Sequence, residues 1–194
     1  MSAARQPVSS PTESLILVDD ADREIGTCSK AECHEGDGLL HRAFSVFLFN
    51  SKGKLLIQQR SATKPLWPLY WANSCCSHPH EFETVEDAGR RRVHEELNLE
   101  CDLSFLYKFK YQAKFGNAGA EHELCHVFAG YTSDDVVAHP DEVADWRFID
   151  PDELTGEIAT DGSRFTPWLK LEWKRIQAEF LNEILTGLPA SGGS

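Results

Sequence analysis

The chain has 194 residues, enough for one domain with a real core. Its hydrophobic content of 41% excludes a disordered chain, and no apolar run approaches the ~20 residues of a membrane span. The formal net charge of −12 argues against nucleic acid and anionic membrane as partners, although basic groups or divalent metals at one site can still hold an anionic substrate.

In chain order, residues 1–13 read as a disordered N-terminal segment with no hydrophobic stretch, hence not a secretory signal. SLILVDD (14–20) reads as a first strand. AFSVFLFNSKGKLLIQQR (43–60) reads as a β-hairpin, two apolar runs joined by Asn50-Ser51-Lys52-Gly53. WANSCCSHP (71–79) is a strand running into a loop, stopped by Pro79. TVEDAGRRRVHEEL (84–97) is a helix N-capped by Thr84, with Val85, Gly89, Val93 and Leu97 as a buried stripe. In FLYKFKYQ (105–112), Phe105, Tyr107, Phe109 and Tyr111 alternate onto one strand face. EHELCHVFAGY (121–131) and VADWRFI (143–149) are further strands. PWLKLEWKRIQAEFLNEIL (167–185) is an amphipathic helix with Leu169, Trp173, Ile176, Phe180 and Ile184 on one side. The last residues, 188–194, read as a flexible tail, which leaves 14–187 as a single domain. Intermixed strands and helices with hairpins predict an α/β fold of the α+β kind, a mixed sheet packed by helices.

Several residue sets could carry chemistry. His34, His41, His78, Glu121 and Glu123 offer three imidazoles and two carboxylates to a divalent cation, a donor set that suits manganese, zinc or iron better than magnesium. Taken separately they also read as surface histidines and a solvated acidic strand end. Cys75-Cys76 precede His78; such a cysteine can act as acid, base or nucleophile, or simply be small and buried. None of the six cysteines forms a C-x-x-C pair, so a zinc ribbon is not expected, and reduced thiols in a cytoplasm are. Lys30, Arg60 and Lys64 are scattered basic residues, each by itself an ordinary surface charge.

Residues 77–99 fit the Nudix box G-x5-E-x7-R-E-U-x-E-E-x-G-U, where U is aliphatic, at Glu83, Arg91, Val93, Glu95, Glu96 and Leu99. Ser77, Arg92 and Asn98 depart from it. Arg92 replaces a metal-binding carboxylate with a guanidinium, which favours holding a diphosphate over cutting it.

NSCCSHP (73–79) and EHELCHVF (121–128), together with LHRAFSVFLFN (40–50), WPLYWANS (67–74) and the degenerate Nudix helix, resemble the type I isopentenyl-diphosphate isomerases over roughly residues 14–175. The resemblance implies a Nudix-like mixed sheet packed between helices. It implies interconversion of isopentenyl and dimethylallyl diphosphate, a step of isoprenoid biosynthesis. It implies a first divalent ion (Mn2+, Mg2+ or Zn2+) on His34, His41, His78, Glu121 and Glu123. Glu96 would help hold a second ion, a Mg2+ that bridges the substrate. Cys76, Glu123, Tyr111 and Trp168 match the family's catalytic positions, and Lys30, Arg60, Lys64 and Arg92 its diphosphate clamp. A small isoprenoid diphosphate is then the expected partner. A monomer is expected because no long exposed apolar seam is apparent. A Nudix pyrophosphohydrolase is the competing reading, one that needs the glutamate replaced here by Arg92.

Overall fold

The computed structural model describes residues 9–132 and 135–187. In chain order they form β1 (Ser14–Val18), β2 (Glu24–Ser29), α1 (Lys30–Cys33), β3 (His41–Phe49), β4 (Leu55–Arg60), β5 (Trp71–Ala72) and β6 (Cys75–Ser77). Then follow α2 (Val85–Leu97), β7 (Leu103–Lys114), β8 (Ala120–Tyr131), β9 (Val143–Ile149), α3 (Pro151–Asp161), α4 (Pro167–Glu179) and α5 (Leu181–Thr186).

One mixed sheet is organised around β3. It pairs in parallel with β8 from His41–Glu123 to Phe49–Tyr131, and antiparallel with β6 through Phe44–Ser77, Ser45–Cys76 and Val46–Cys75. A strand buried on both faces should be apolar at every position, and FSVFLF is nearly so. Phe44, Val46 and Leu48 pack with Ala88, Val93 and Leu97 of α2. Ala43, Phe47 and Phe49 pack on the other face with Leu154 of α3 and Leu169, Trp173 and Ile176 of α4. The sheet therefore lies between helices, as expected.

Five expectations need correction. The hairpin over 43–60 exists, with Gly53 at φ 74°, but β3 and β4 pair only at Phe49–Leu55 and then diverge. β3 goes on to β6 and β8, while β4 pairs with β9 and β5. The strand over 71–79 is broken at Asn73-Ser74 into β5 and β6, because both side chains bond to backbone of other strands. In β7 a register shift between Phe105 and Tyr107 puts Phe105 opposite Phe128, on the face away from Tyr107, Phe109 and Tyr111. A bulge inverts the side-chain alternation beyond it. The long C-terminal helix breaks at Phe180 into α4 and α5. Residues 9–13, read as part of a loose end, bond to α1: Lys30 N donates to Glu13 O and Ala31 N to Pro11 O. The rest of that segment, 1–8, and the tail 188–194 lie outside the described residues. α1, α3 and β2 were not anticipated.

Candidate active site

The sheet ladder aligns the central residues. His41 on β3 sits opposite Glu123 on β8, and Glu123 sits opposite Tyr111 on β7, so one cross-strand row carries all three. Glu121 lies two residues from Glu123 and so faces the same way. β6 flanks β3 on the side away from β8 and brings Cys76 and His78 to the same face. His34 arrives as the C-cap of α1, whose capping box on Ser29 and Glu32 fixes this short helix. The β7–β8 turn holds it there, because Ala120 N donates to His34 O.

Ligand atoms of His34, His41, His78 and Glu121 all lie within 4.8 Å of one another. His41 Nε2 and His78 Nε2 are 3.2 Å apart, and Glu123 Oε1 is 3.4 Å from His78 Nε2 and 3.9 Å from His41 Nε2. His41 Nδ1–H donates to Leu39 O at 2.7 Å, which turns Nε2 toward the cluster, as metal-binding histidines are commonly oriented. His34 Nε2 and Glu121 Oε2 stand 2.8 Å apart, yet both are buried atoms without a hydrogen-bond partner. Burial holds His41 down to about 4 and His78 well below the usual imidazole range, so both present lone pairs at neutral pH. Burial raises Glu121, but the adjacent His34 and His41 outweigh it and bring the carboxyl to about 2. Burial, reinforced by the Glu121 charge, holds Glu123 well above the usual carboxylate range. Converging lone pairs and buried orphan atoms fit a divalent cation.

A cavity of about 620 Å³ opens over this face. Cys76, Glu123, Tyr111 and Trp168 line it, and so do Lys30, Arg60, Lys64 and Arg92. Tyr111 OH donates to Glu123 Oε2 at 2.7 Å. Burial pushes the Cys76 thiol up to about 12, with Arg60 partly opposing, so it carries its proton at neutral pH. Cys75, its neighbour, packs against the α2 side of the sheet. Trp168 Nε1 donates to Asn73 Oδ1 at 3.1 Å, and Trp67 meets its ring edge-on at 5.3 Å. Arg60 donates to the carbonyls of Trp67 and Leu66 and lies 5.2 Å from the Trp168 ring centre.

Ion pairs and hydrogen bonds hold the remaining expected residues. Arg92 is buried and donates to Glu96 Oε1 at 2.5 Å and to Glu95 Oε2 at 3.2 Å. Glu96, which also accepts from Gln58 Nε2 at 3.2 Å, is not in the imidazole cluster. Lys30 Nζ donates to Ser9 Oγ at 2.8 Å and to Glu13 Oε2 at 3.2 Å. Glu142, not singled out from the sequence, accepts from Lys64 and stands 3.3 Å from Arg92 Nη2. No local pattern marks it. Glu172 was missed too, although an acid on the buried stripe between Leu169, Trp173 and Ile176 was legible. Of the departures from the Nudix box, Asn98 is the C-cap of α2 at φ 55°, a left-handed position that Asn tolerates nearly as well as Gly.

The Nudix domain family matches residues 39–169. Over 166 residues the chain is 43% identical to an isopentenyl-diphosphate Delta-isomerase 1 of Photorhabdus laumondii, covering 84% of this chain and 94% of that one. It is 45% identical over 156 residues to an isopentenyl-diphosphate Delta-isomerase of Nocardia farcinica, covering 79% and 88%. The crystal structure of DR0079 from Deinococcus radiodurans superposes with a TM-score of 0.66 at 24% identity over 89% of this chain and 99% of that one, a likeness of fold. The family match and the relatives make this chain a member of the isopentenyl-diphosphate Delta-isomerase family of Nudix-domain proteins.

Proposed function

We propose that this chain interconverts isopentenyl diphosphate and dimethylallyl diphosphate, as the names of its relatives imply. The observation that carries the reading is one cavity lined by two proton-carrying groups, an indole and four basic side chains. Moving an unactivated double bond requires protonation at one carbon and deprotonation at another. Cys76 and Glu123, on strands that flank β3 on either side, supply the two groups, one entering with its proton and the other as the base that takes one up. They exchange roles when the reaction reverses. Tyr111, bonded to Glu123, orients the carboxylate and shares its proton. The intermediate resembles a tertiary cation; the face of Trp168 stabilises it, and the cavity's apolar walls protect it from water.

Lys30, Arg60, Lys64 and Arg92 form the diphosphate clamp, which positions the chain without cleaving it. Bound at His34, His41, His78, Glu121 and Glu123, a Mn2+, Mg2+ or Zn2+ ion would lower the charge cost of two acids in one buried site. Glu96 would be the carboxylate for a second ion, a Mg2+ held together with the diphosphate. Hydrolysis of the diphosphate is disfavoured by Arg92, which stands buried where the Nudix box has a glutamate. Residues 14–187 act as one domain and as a monomer, without nucleic acid or membrane partners, in keeping with the charge of −12. No helix among the described residues is long and apolar enough to cross a membrane. All six cysteines are free, which accords with a reducing cytoplasm. The test is incubation with isopentenyl diphosphate and Mg2+, following the acid-labile allylic isomer. Absence of that product, or phosphate release instead, overturns the reading.

A further inference from the structure

We infer that Glu142 makes the cationic clamp select the magnesium complex of a diphosphate over the free diphosphate. This rests on the diphosphate reading above and assigns a specificity role to a residue outside the motifs.

Glu142 is 3% exposed and lines the cavity, and a single carboxylate oxygen, Oε2, faces both Lys64 Nζ and Arg92 Nη2. Its loop is pinned to the walls of the site. His139 N donates to Glu96 O at 2.7 Å, Glu142 N to His139 O at 3.0 Å, and Ser61 N to Glu142 O at 2.9 Å. The carboxylate is therefore held in place, not swung in from solvent. Burial raises its pKa, but Lys64 and Arg92 prevail and lower it, so the group is ionised at neutral pH.

An ionised carboxylate between two of the clamp's cations has two opposite effects. It offsets part of their charge and repels the oxygens of a bare diphosphate. Once Mg2+ bridges those oxygens the ligand carries less negative charge, and Mg2+ favours carboxylates beside substrate phosphates. Lys30 likewise carries Glu13 at 3.2 Å, which leaves less uncompensated positive charge for the free anion.

The test is the affinity for inorganic pyrophosphate, measured by calorimetry in Mg2+-free buffer and in millimolar Mg2+. The wild type is expected to bind at least about tenfold more tightly with Mg2+. Glu142→Gln should close most of that gap by gaining affinity in Mg2+-free buffer. Glu142→Asp keeps the charge and should keep the gap. Should Glu142→Gln fail to fold, Lys64→Met decides, because removing the counter-ion must widen the gap. An equal loss of affinity in both buffers for Glu142→Gln, or a gap unchanged in Lys64→Met, overturns the inference. A wild-type affinity independent of Mg2+ overturns it as well. Turnover of isopentenyl diphosphate reports separately: a Glu142-dependent gap without turnover supports this inference and removes the isomerase reading. Pyrophosphate that binds in neither buffer removes both.

Discussion

Adjacent side chains on a strand point to opposite faces, and β6 uses this to separate two cysteines. Cys75 is buried against α2, and Cys76 faces the cavity. Cys76→Ala should abolish turnover while leaving pyrophosphate binding intact, and Cys75→Ala should keep most of the turnover. Near-normal rates for Cys76→Ala in a coupled assay would overturn the assigned role. Glu172 supplies a second test at this scale. It is fully buried on α4, 3.6 Å from Cys125 Sγ, and burial lifts its carboxyl from the ordinary 4.5 to about 8. The folded chain thus keeps this proton while the unfolded chain releases it. The stability contribution is complete below 4.5 and is lost as pH rises through about 8. Glu172→Gln should melt alongside the wild type in acid and gain on it steadily as pH rises through that window. Parallel melting curves at every pH would show that Glu172 does not hold the proton.

At the scale of elements, turns and short helices place the side chains that the strands cannot. His34 ends a helix of four residues and is steadied by the β7–β8 turn. Gly119 in that turn has φ +144°, and a Cβ there would lie 2.4 Å from His34 O. Gly119→Ala should therefore cost roughly 1–3 kcal/mol and loosen the imidazole cluster. A lower melting temperature together with weaker Mn2+ or Zn2+ binding is expected; an unchanged metal affinity would mean that the turn does not position His34. Periodicity located α2, β8 and β9 well, because each carries several apolar residues at a regular spacing. It missed α1, whose single turn is set by the capping box rather than by a stripe. It also missed α3, although Asp150-Pro151-Asp152-Glu153 has an N-cap and a first-turn proline. The bulge in β7 left no sign in an alternating run that reads equally well without it.

Across the whole molecule, the imidazole cluster joins α1, β3, the segment after β6, and β8. A cation bound there ties distant parts of the chain together and should stabilise the folded state only. At about 100 times its dissociation constant, a ligand of the native state adds about 2.7 kcal/mol. For a chain of this size that corresponds to a rise of roughly 5–10 °C in Tm. Mn2+ or Zn2+ should raise the Tm, a chelator should reverse the rise, and His78→Ala should abolish it. A melting temperature indifferent to all three would remove the metal site.

Read alone, the sequence determined the fold class, most strands, α2, and many of the residues that line the cavity. These follow from hydrophobic spacing and from motifs whose residue types state their chemistry. The tertiary structure alone decided how β3 leaves its hairpin partner for β6 and β8, because strand pairing depends on distant segments competing for the same edges. It decided that Cys76 is protonated and Glu121 ionised, since burial and neighbouring charge set both. It also decided that Glu142 stands between Lys64 and Arg92, 78 residues along the chain from the lysine, a contact that no local pattern encodes.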